Sequence, residues 1–197
     1  MYINYKEIIS LLRTPKNYVE ICKKEDDLLK KCILCKHYLS SNQWSLLLEK
    51  HIKDIFNIQN TYDPTSGDGI SPKEKKIEIK ISLGSKDGQF NFVQLRPQHN
   101  IDYYLMLVYN MYEDDFGKIY WFLCTPKELY KLLPKYGGYA HGSITKLKKI
   151  TTSSIVKNNH EYSLRPNCIK ENTKSYKLWC IMMEKFNIDV NDIFNYI

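Results

Sequence analysis

Two short, nearly continuous apolar runs constrain the fold of this 197-residue chain more than any other feature. They are YYLMLVY at 103–109 and KIYWFLC at 118–124, and both are rich in aromatic residues. Each run is too short for a buried helix of ordinary length, so each predicts a strand covered on both faces. A sheet whose two faces are covered needs a layer of structure on each side, and this predicts an α/β fold.

A third strand is predicted at KIEIKIS, residues 76–82, where isoleucine alternates strictly with polar residues. The three isoleucines share one face, and Glu78 and Lys80 project together from the other, as is typical of a half-buried strand. A short strand at Phe90–Leu95 is expected to pair with it across the turn at Gly84–Gly88.

Helices are predicted before and after these strands in the sequence. The clearest is QWSLLLEKHIKDIFNI, which follows the N-cap candidates Ser40–Asn42 and has apolar residues at three- and four-residue spacing. The other predicted helices are Tyr5–Leu12, Val19–Lys31, Pro126–Lys135 and Ser175–Phe186. The element order predicts one domain over 1–197 with a mixed central sheet flanked by helices: peripheral helices at 1–40, a core at 41–125, and a loop and helix at 126–197.

The formal charge of +7 makes a polyanionic partner plausible, because each phosphate neutralised by Lys or Arg releases condensed counterions. An AT-rich genome produces the same lysine-rich composition without any selection for nucleic acid, so charge alone leaves both explanations open.

Residue usage predicts a soluble, cytoplasmic protein without contact to a membrane. No apolar stretch approaches the roughly 18 to 20 residues that a membrane span needs, and MYINYKEIIS lacks the pattern of a signal peptide.

The six cysteines are few for this length, so free thiols in a reducing compartment are expected. Cys124 and Cys180 lie in apolar stretches and are expected to be buried. A zinc site is an open alternative for one group, Cys22, Cys32, Cys35 and His37.

Three residues form a candidate metal centre. Glu78 and Lys80 share one face of the predicted strand, and Asp68 lies in a GDG turn whose glycines let the backbone bring this carboxylate back beside the strand. Two carboxylates and the backbone carbonyl of Ile79 are hard oxygen ligands that suit Mg²⁺. A neighbouring lysine can hold the attacking water and offset the charge of a pentavalent transition state. A strand with Glu and Lys on a solvated face would show the same local pattern.

These residues resemble the PD-(D/E)XK nuclease superfamily and, within it, the type II restriction endonucleases. The resemblance lies in GDG at 67–69, EIK at 78–80 and the helical Glu49 ahead of them. It implies a restriction-endonuclease-like αβββαβ core in which Asp68 and Glu78 hold Mg²⁺ and Lys80 activates water. Glycine stands before the acid where the family has proline, and Asp63 precedes Pro64 in reversed order, so Asp63 competes with Asp68 as the first ligand.

The resemblance also implies partners and cofactors. The expected activity is site-specific hydrolysis of double-stranded DNA, with Mn²⁺ able to replace Mg²⁺ and Ca²⁺ supporting binding only. Cutting both strands of a palindrome needs two centres related by a two-fold axis, so a homodimer is expected. A companion DNA methyltransferase in the host is implied as well.

Two segments carry residue types that contact DNA bases and phosphates, although ordinary surface connections would look alike. The first follows the predicted centre and includes Gln94, Arg96, Gln98 and His99. The second is a glycine-containing, basic stretch predicted to be flexible, with Tyr139, His141, Ser143 and Lys146. Two rival functions stay open: a repair or junction-resolving nuclease that recognises DNA shape, and a non-catalytic nucleic-acid-binding module.

Overall fold

The computed structural model describes residues 17–140, 149–157 and 160–197. The predicted helix at Tyr5–Leu12 lies outside these ranges. The chain divides after Leu48 into two compact units. The proposal of one nuclease domain over 1–197 therefore stays a prediction. No helix in the described ranges has the length and apolar character needed to cross a membrane.

The first unit contains α1 (Tyr18–Lys24), α2 (Leu28–Tyr38) and the start of α3 (Ser41–Phe56). The prediction of one helix over Val19–Lys31 is wrong, because the chain is extended at Glu25 and a new helix begins after Asp27. The Asp27 carboxylate accepts a hydrogen bond from Lys30 N at 2.9 Å, which caps α2. The predicted amphipathic helix is confirmed by α3.

The second unit contains two sheets and several helices. Its helices are α4 (Pro126–Tyr130), α5 (Leu133–Tyr136), α6 (Thr152–Lys157), α7 (Lys174–Lys185) and α8 (Val190–Ile193). Its strands are β1 (Gln59–Asn60), β2 (Gly69–Ile70), β3 (Lys76–Ser82), β4 (Phe92–Leu95), β5 (Tyr103–Asn110), β6 (Lys118–Cys124), β7 (Gly137–Tyr139), β8 (Tyr162–Leu164) and β9 (Asn187–Ile188).

The central sheet is mixed, as predicted, and is flanked by helices. Its strand order is β1-β2-β3-β5-β6-β9, in which β3 and β5 run parallel and the other neighbours run antiparallel. The predicted strands KIEIKIS, YYLMLVY and KIYWFLC are confirmed as β3, β5 and β6.

The predicted pairing of Phe90–Leu95 with β3 is wrong. The strand β4 belongs to a second sheet of order β4-β8-β7, where it pairs with β8. The sequence pattern could not show that β5 occupies one long edge of β3. Gln94 has φ 55°, and the pairing register shifts between Phe92 and Leu95, so β4 is also irregular.

The predicted half-buried character of β3 is wrong as well. Glu78 lies opposite Tyr104 and Lys80 opposite Met106, so the polar side chains of β3 share a face with core residues of β5. The second sheet and α7 contribute to this same core, which includes Phe92, Tyr162, Leu178 and Met182. The opposite face carries Ile77 and Ile79, both buried.

Three further predictions in the C-terminal half are corrected. The helix predicted over Pro126–Lys135 is two short helices, α4 and α5, with Thr125 forming a capping box at the first. The start of the basic stretch predicted to be flexible forms strand β7 at Gly137–Tyr139, which pairs with β8, whereas residues 141–148 of that stretch lie outside the described ranges. Cys124 is buried as expected, whereas Cys180 is exposed. The C-terminal helix predicted at Ser175–Phe186 is confirmed by α7.

Candidate active site

The edge of β3 that faces β2 is the centre of the site. On β3, the strand β2 pairs with the first two residues, Lys76 and Ile77. Asp68 lies one residue before β2, and its carboxylate takes the place of a backbone partner for Ile79. Asp68 Oδ2 accepts a hydrogen bond from Ile79 N at 2.7 Å. Asp68 N donates to Ile77 O at 2.8 Å. The backbone and the carboxylate of Asp68 are therefore both fixed to the edge of β3.

Gly67 makes this approach possible. It has φ +77°, a conformation that side-chain-bearing residues rarely adopt. A Cβ at this position would lie 2.6 Å from Ile77 O, the oxygen that Asp68 N contacts. The GDG turn thus needs glycine before the acid for both conformation and space.

Glu78 and Lys80 form an ion pair on the covered face of β3. Lys80 Nζ lies 2.6 Å from Glu78 Oε1, and their side chains are 14% and 7% exposed. Burying such a pair costs desolvation energy that the attraction between the charges only partly offsets. A pair placed here is therefore weak evidence for stability and fits a role in function.

Three charged side chains, Glu78, Glu49 and Lys80, interact with Asp68. Burial is the main cause that raises the pKa of Asp68 to about 6, and the carboxylates of Glu78 and Glu49 raise it further. The Lys80 ammonium and the hydrogen bond from Ile79 N oppose this increase. The structure therefore brings together all four predicted catalytic residues.

Glu49 reaches the group from α3. Its Oε1 pairs with Lys53 Nζ at 2.7 Å, and Lys53 also donates to Asn60 Oδ1 at 3.0 Å. Glu49 is thus held at the margin, and its charge still acts on Asp68.

The carbonyl of Ile79 is the third predicted oxygen ligand. Along a strand, the N–H and C=O of one residue point towards the same neighbouring strand. Because Ile79 N–H points towards Asp68, the Ile79 carbonyl points to the same edge of β3.

The expected Mg²⁺ ligands are two carboxylates and one backbone carbonyl. No group of three or more His, Cys, Asp and Glu side chains suited to a metal occurs within residues 17–140, 149–157 and 160–197. Mg²⁺ keeps several waters and binds through one or two carboxylates. The smaller set of Asp68, Glu78 and the Ile79 carbonyl therefore stays a prediction.

The zinc alternative does not fit the described residues, since its four candidates do not assemble such a group. A hydrogen bond with Cys22 raises the pKa of the Cys35 thiol, and burial raises the pKa of the Cys32 thiol. Both effects favour the protonated form of these thiols in the metal-free protein.

The Asp63 carboxylate interacts with residues of its own turn. Its carboxylate accepts hydrogen bonds from Thr65 N and Thr65 Oγ1, each at 2.8 Å, and from Ser66 Oγ at 2.6 Å. The Ser66 hydroxyl and the Thr65 contacts lower the pKa of Asp63 to about 2. Asp63 is a turn residue, and the structure groups Asp68 with Glu78.

His99 and Arg96 approach the site from the turn after β4. Desolvation lowers the pKa of His99, while the nearby Glu78 carboxylate raises it and the Arg96 and Lys80 cations lower it. His99 Nδ1 is buried without a hydrogen-bond partner in the described part of the chain. Arg96 Nε pairs with Glu161 Oε1 at 2.7 Å.

The other predicted DNA-contact residues are spread over the second unit. Gln94 is partly buried at the irregularity of β4, and Gln98 is exposed. Tyr139 packs against the rings of His160 and Tyr162. Three predicted contacts lie outside the described residues: His141, Ser143 and Lys146.

Sequence reasoning missed two tyrosines beside the site. Tyr104 lies opposite Glu78 in the parallel register, and its hydroxyl is 2.7 Å from that of Tyr130. Tyr130 in turn donates to Arg96 O at 3.1 Å, which ties the turn after β4 to the central sheet. Only the pairing of β3 with β5, which the apolar pattern does not specify, could have revealed them.

The stability of the metal-free protein should depend on Asp68 between pH 4 and 6. The pKa of Asp68 is raised from 3.8 to about 6 on folding, so the folded state holds the proton more tightly. This contribution is complete below about pH 4 and is lost as the pH rises through about 6. Asp68→Asn retains an acceptor for Ile79 N and carries no charge, so we expect it to unfold less readily than wild type at pH 7.

Urea titrations in EDTA from pH 4 to 7 measure this difference in unfolding free energy. Asp63→Asn is the control, because a pKa lowered to about 2 gives stability that is present above pH 4 and lost only in stronger acid. A constant difference between Asp68→Asn and wild type across pH 4 to 7 would refute the linkage.

Comparison with known proteins adds no relative from which a role could be transferred. Neither a model of a known protein family nor a curated protein matches the sequence.

Proposed function

We propose that this chain is a Mg²⁺-dependent endonuclease that hydrolyses phosphodiester bonds of double-stranded DNA. The observation that carries the proposal is the position of Asp68, bonded to Ile79 N at 2.7 Å beside the Glu78–Lys80 pair. Carboxylates that repel one another at a partly buried position destabilise the free protein, and a divalent cation would relieve that repulsion.

Each residue has a role that its position supports. Asp68, Glu78 and the Ile79 carbonyl would hold Mg²⁺, which when bound polarises the phosphoryl oxygen and lowers the pKa of water. Lys80 would orient the attacking water and offset charge on the pentavalent transition state. The water oxygen forms a bond to phosphorus as one P–O ester bond breaks, and no covalent intermediate with the protein is needed.

Within this class we favour a type II restriction endonuclease with the αβββαβ core, working as a homodimer beside a host methyltransferase. The mixed sheet, with the acidic turn and E-x-K strand following an amphipathic helix, supports that assignment. Incubation with unmethylated phage DNA and Mg²⁺ should yield discrete fragments, and Mn²⁺ should replace Mg²⁺. Cutting of branched DNA alone would favour the junction-resolving alternative, and binding without any cutting would favour the non-catalytic one.

Asp68→Asn should lower the single-turnover cleavage rate by on the order of 10³-fold, because it removes a charged ligand at the reacting centre. Asp63→Asn makes the same chemical change in the same turn region and should retain the wild-type rate. The rates are measured with Mg²⁺ on DNA fragments carrying the preferred site, and binding is measured in Ca²⁺. Both variants should bind DNA.

The opposite pattern, with Asp63→Asn inactive and Asp68→Asn active, would contradict the assigned centre. Wild-type cleavage rates in both variants would contradict any metal role for either aspartate. Brisk cleavage in Ca²⁺ would contradict the mechanism, since Ca²⁺ fits oxygen ligands but activates water poorly.

A further inference from the structure

A cavity of about 310 Å³ opens beside the second sheet, between the end of α5 and strands β7 and β8. Its volume is at the lower end of the range that holds small ligands, roughly 300 to 1,000 Å³. The residues that line it are Tyr136, Gly137, Gly138, Tyr139, Ser163 and Arg165.

The wall contains two adjacent glycines, and the fold requires glycine at only one of these positions. A Cβ at Gly137 would lie 2.7 Å from Leu133 O, so the fold itself requires glycine there. A Cβ at Gly138 would meet only Ser163 Oγ, at the ordinary contact distance of 3.4 Å, and Gly138 does not have positive φ.

The fold therefore does not require Gly138. Glycine weakens a strand by roughly 0.5 to 1 kcal/mol relative to alanine, and in a strand it often marks a place where a ligand approaches the backbone. Gly138 pairs with Ser163 in the middle of β7, directly at the cavity. A Cβ at Gly138 would contact Ser163, which also lines the cavity.

The remaining wall combines aromatic rings with positive charge. Tyr136 and Tyr139 flank the two glycines, and Lys135 Nζ lies 5.2 Å from the centroid of the Tyr136 ring. Arg165 is exposed, and no carboxylate within the described ranges pairs with its guanidinium.

We propose that this cavity binds one nucleotide unit, with the planar base between the tyrosine rings and the Gly138 backbone and the phosphate on Arg165. Aromatic rings stack on any base, and guanidinium groups bind phosphate through paired hydrogen bonds. A glycine wall suits a flat ring better than a rounded aliphatic ligand. The binding itself does not depend on the proposed cleavage, whereas its role as a contact to the DNA strand rests on that function.

Calorimetry on the full chain tests the site with thymidine 5′-monophosphate, adenosine 5′-monophosphate, inorganic phosphate and a single-stranded thymidine 12-mer. All titrations contain EDTA, so binding at the Asp68 centre through a metal does not contribute. Tighter binding of the 12-mer than of either monophosphate assigns the site to a DNA strand. Equal or weaker binding assigns it to a free nucleotide.

Two variants locate the binding. Gly138→Val fills the cavity with a residue that favours strands, and we expect it to weaken binding of both monophosphates at least 10-fold. Arg165→Gln should weaken binding of both monophosphates by about 10-fold. Lys177→Gln, which removes an equal charge at an exposed position of α7, should leave their binding unchanged. Gly138→Ala is a second, smaller filling, and circular dichroism with urea unfolding establishes that each variant folds.

Three results would overturn the proposal: no monophosphate binding by wild type at millimolar concentration, undiminished binding by folded Gly138→Val, or inorganic phosphate binding as tightly as the nucleotides. Retained cleavage in Asp68→Asn, which would contradict the nuclease centre, leaves these outcomes unaffected, so the nucleotide site and the proposed nuclease centre can fail independently.

Discussion

The double variant Glu78→Leu/Lys80→Met is expected to lose Mg²⁺-dependent DNA cleavage by at least about 10³-fold and yet to be at least as stable as wild type. The loss follows because the variant lacks a metal ligand and the cation that orients water. The gain follows because the pair is nearly buried, on a sheet face that β5 fills with Tyr104 and Met106.

Replacing a buried ion pair by apolar residues of similar volume is neutral or stabilising by roughly 1 to 4 kcal/mol. The double variant loses both the Glu78 charge, which raises the pKa of Asp68, and the Lys80 charge, which lowers it, while burial, the main cause of the raised pKa, remains. The replacement of the ion pair is therefore the effect expected to change the unfolding free energy.

The single variants are the matched controls. Glu78→Leu leaves the Lys80 ammonium without its carboxylate, and Lys80→Met leaves the Glu78 carboxylate without its ammonium. Breaking a buried pair in this way costs about 3 to 5 kcal/mol, so each single variant should be less stable than the double.

Urea unfolding and single-turnover cleavage of all four proteins measure the cycle. A double variant that is inactive and as unstable as the singles would mean that the pair is needed for folding, and the functional assignment would lose this support. Wild-type cleavage by the double variant would refute the proposed centre.

Sequence periodicity predicted three strands of the central sheet but neither its three short strands, β1, β2 and β9, nor the pairing of the strands. Alternation and apolar runs reflect the burial of each residue within its own strand, and β3, β5 and β6 were found at the predicted positions. Pairing depends on contacts distant in the chain. The parallel contact of β3 with β5 and the transfer of β4 to the second sheet were therefore missed.

In the candidate site, too, local patterns predicted some features and contacts distant in the chain decided the others. Glu78 and Lys80 were correctly placed side by side, because residues two apart on a strand share a face. The choice between Asp63 and Asp68 could not be made locally, since both lie in one turn-rich stretch. Only the short pairing of β2 with β3 brings Asp68, and not Asp63, to the edge at Ile79.

Gly67→Ala is expected to destabilise the protein by about 3 kcal/mol or more, and to reduce cleavage in the fraction that stays folded. The left-handed conformation alone costs alanine roughly 1 to 2 kcal/mol, and overpacking typically adds 1 to 3. The new Cβ would lie 2.6 Å from Ile77 O, which cannot move away without weakening its hydrogen bond with Asp68 N. Relief of this contact would therefore displace the carboxylate that the centre needs.

Gly117→Ala separates the two causes of that loss. Gly117 has a similar φ of +78°, but its Cβ would meet the side chain of Tyr109 and no backbone oxygen of the site. Tyr109 is buried and its hydroxyl donates to Phe116 O at 2.9 Å, so this variant should also lose stability through overpacking. Because this strain does not act on Asp68, the variant should keep the wild-type cleavage rate per folded molecule. Urea unfolding with parallel single-turnover rates compares the two. Equal rates per folded molecule in Gly67→Ala and Gly117→Ala would show that the position of Asp68 does not control the chemistry.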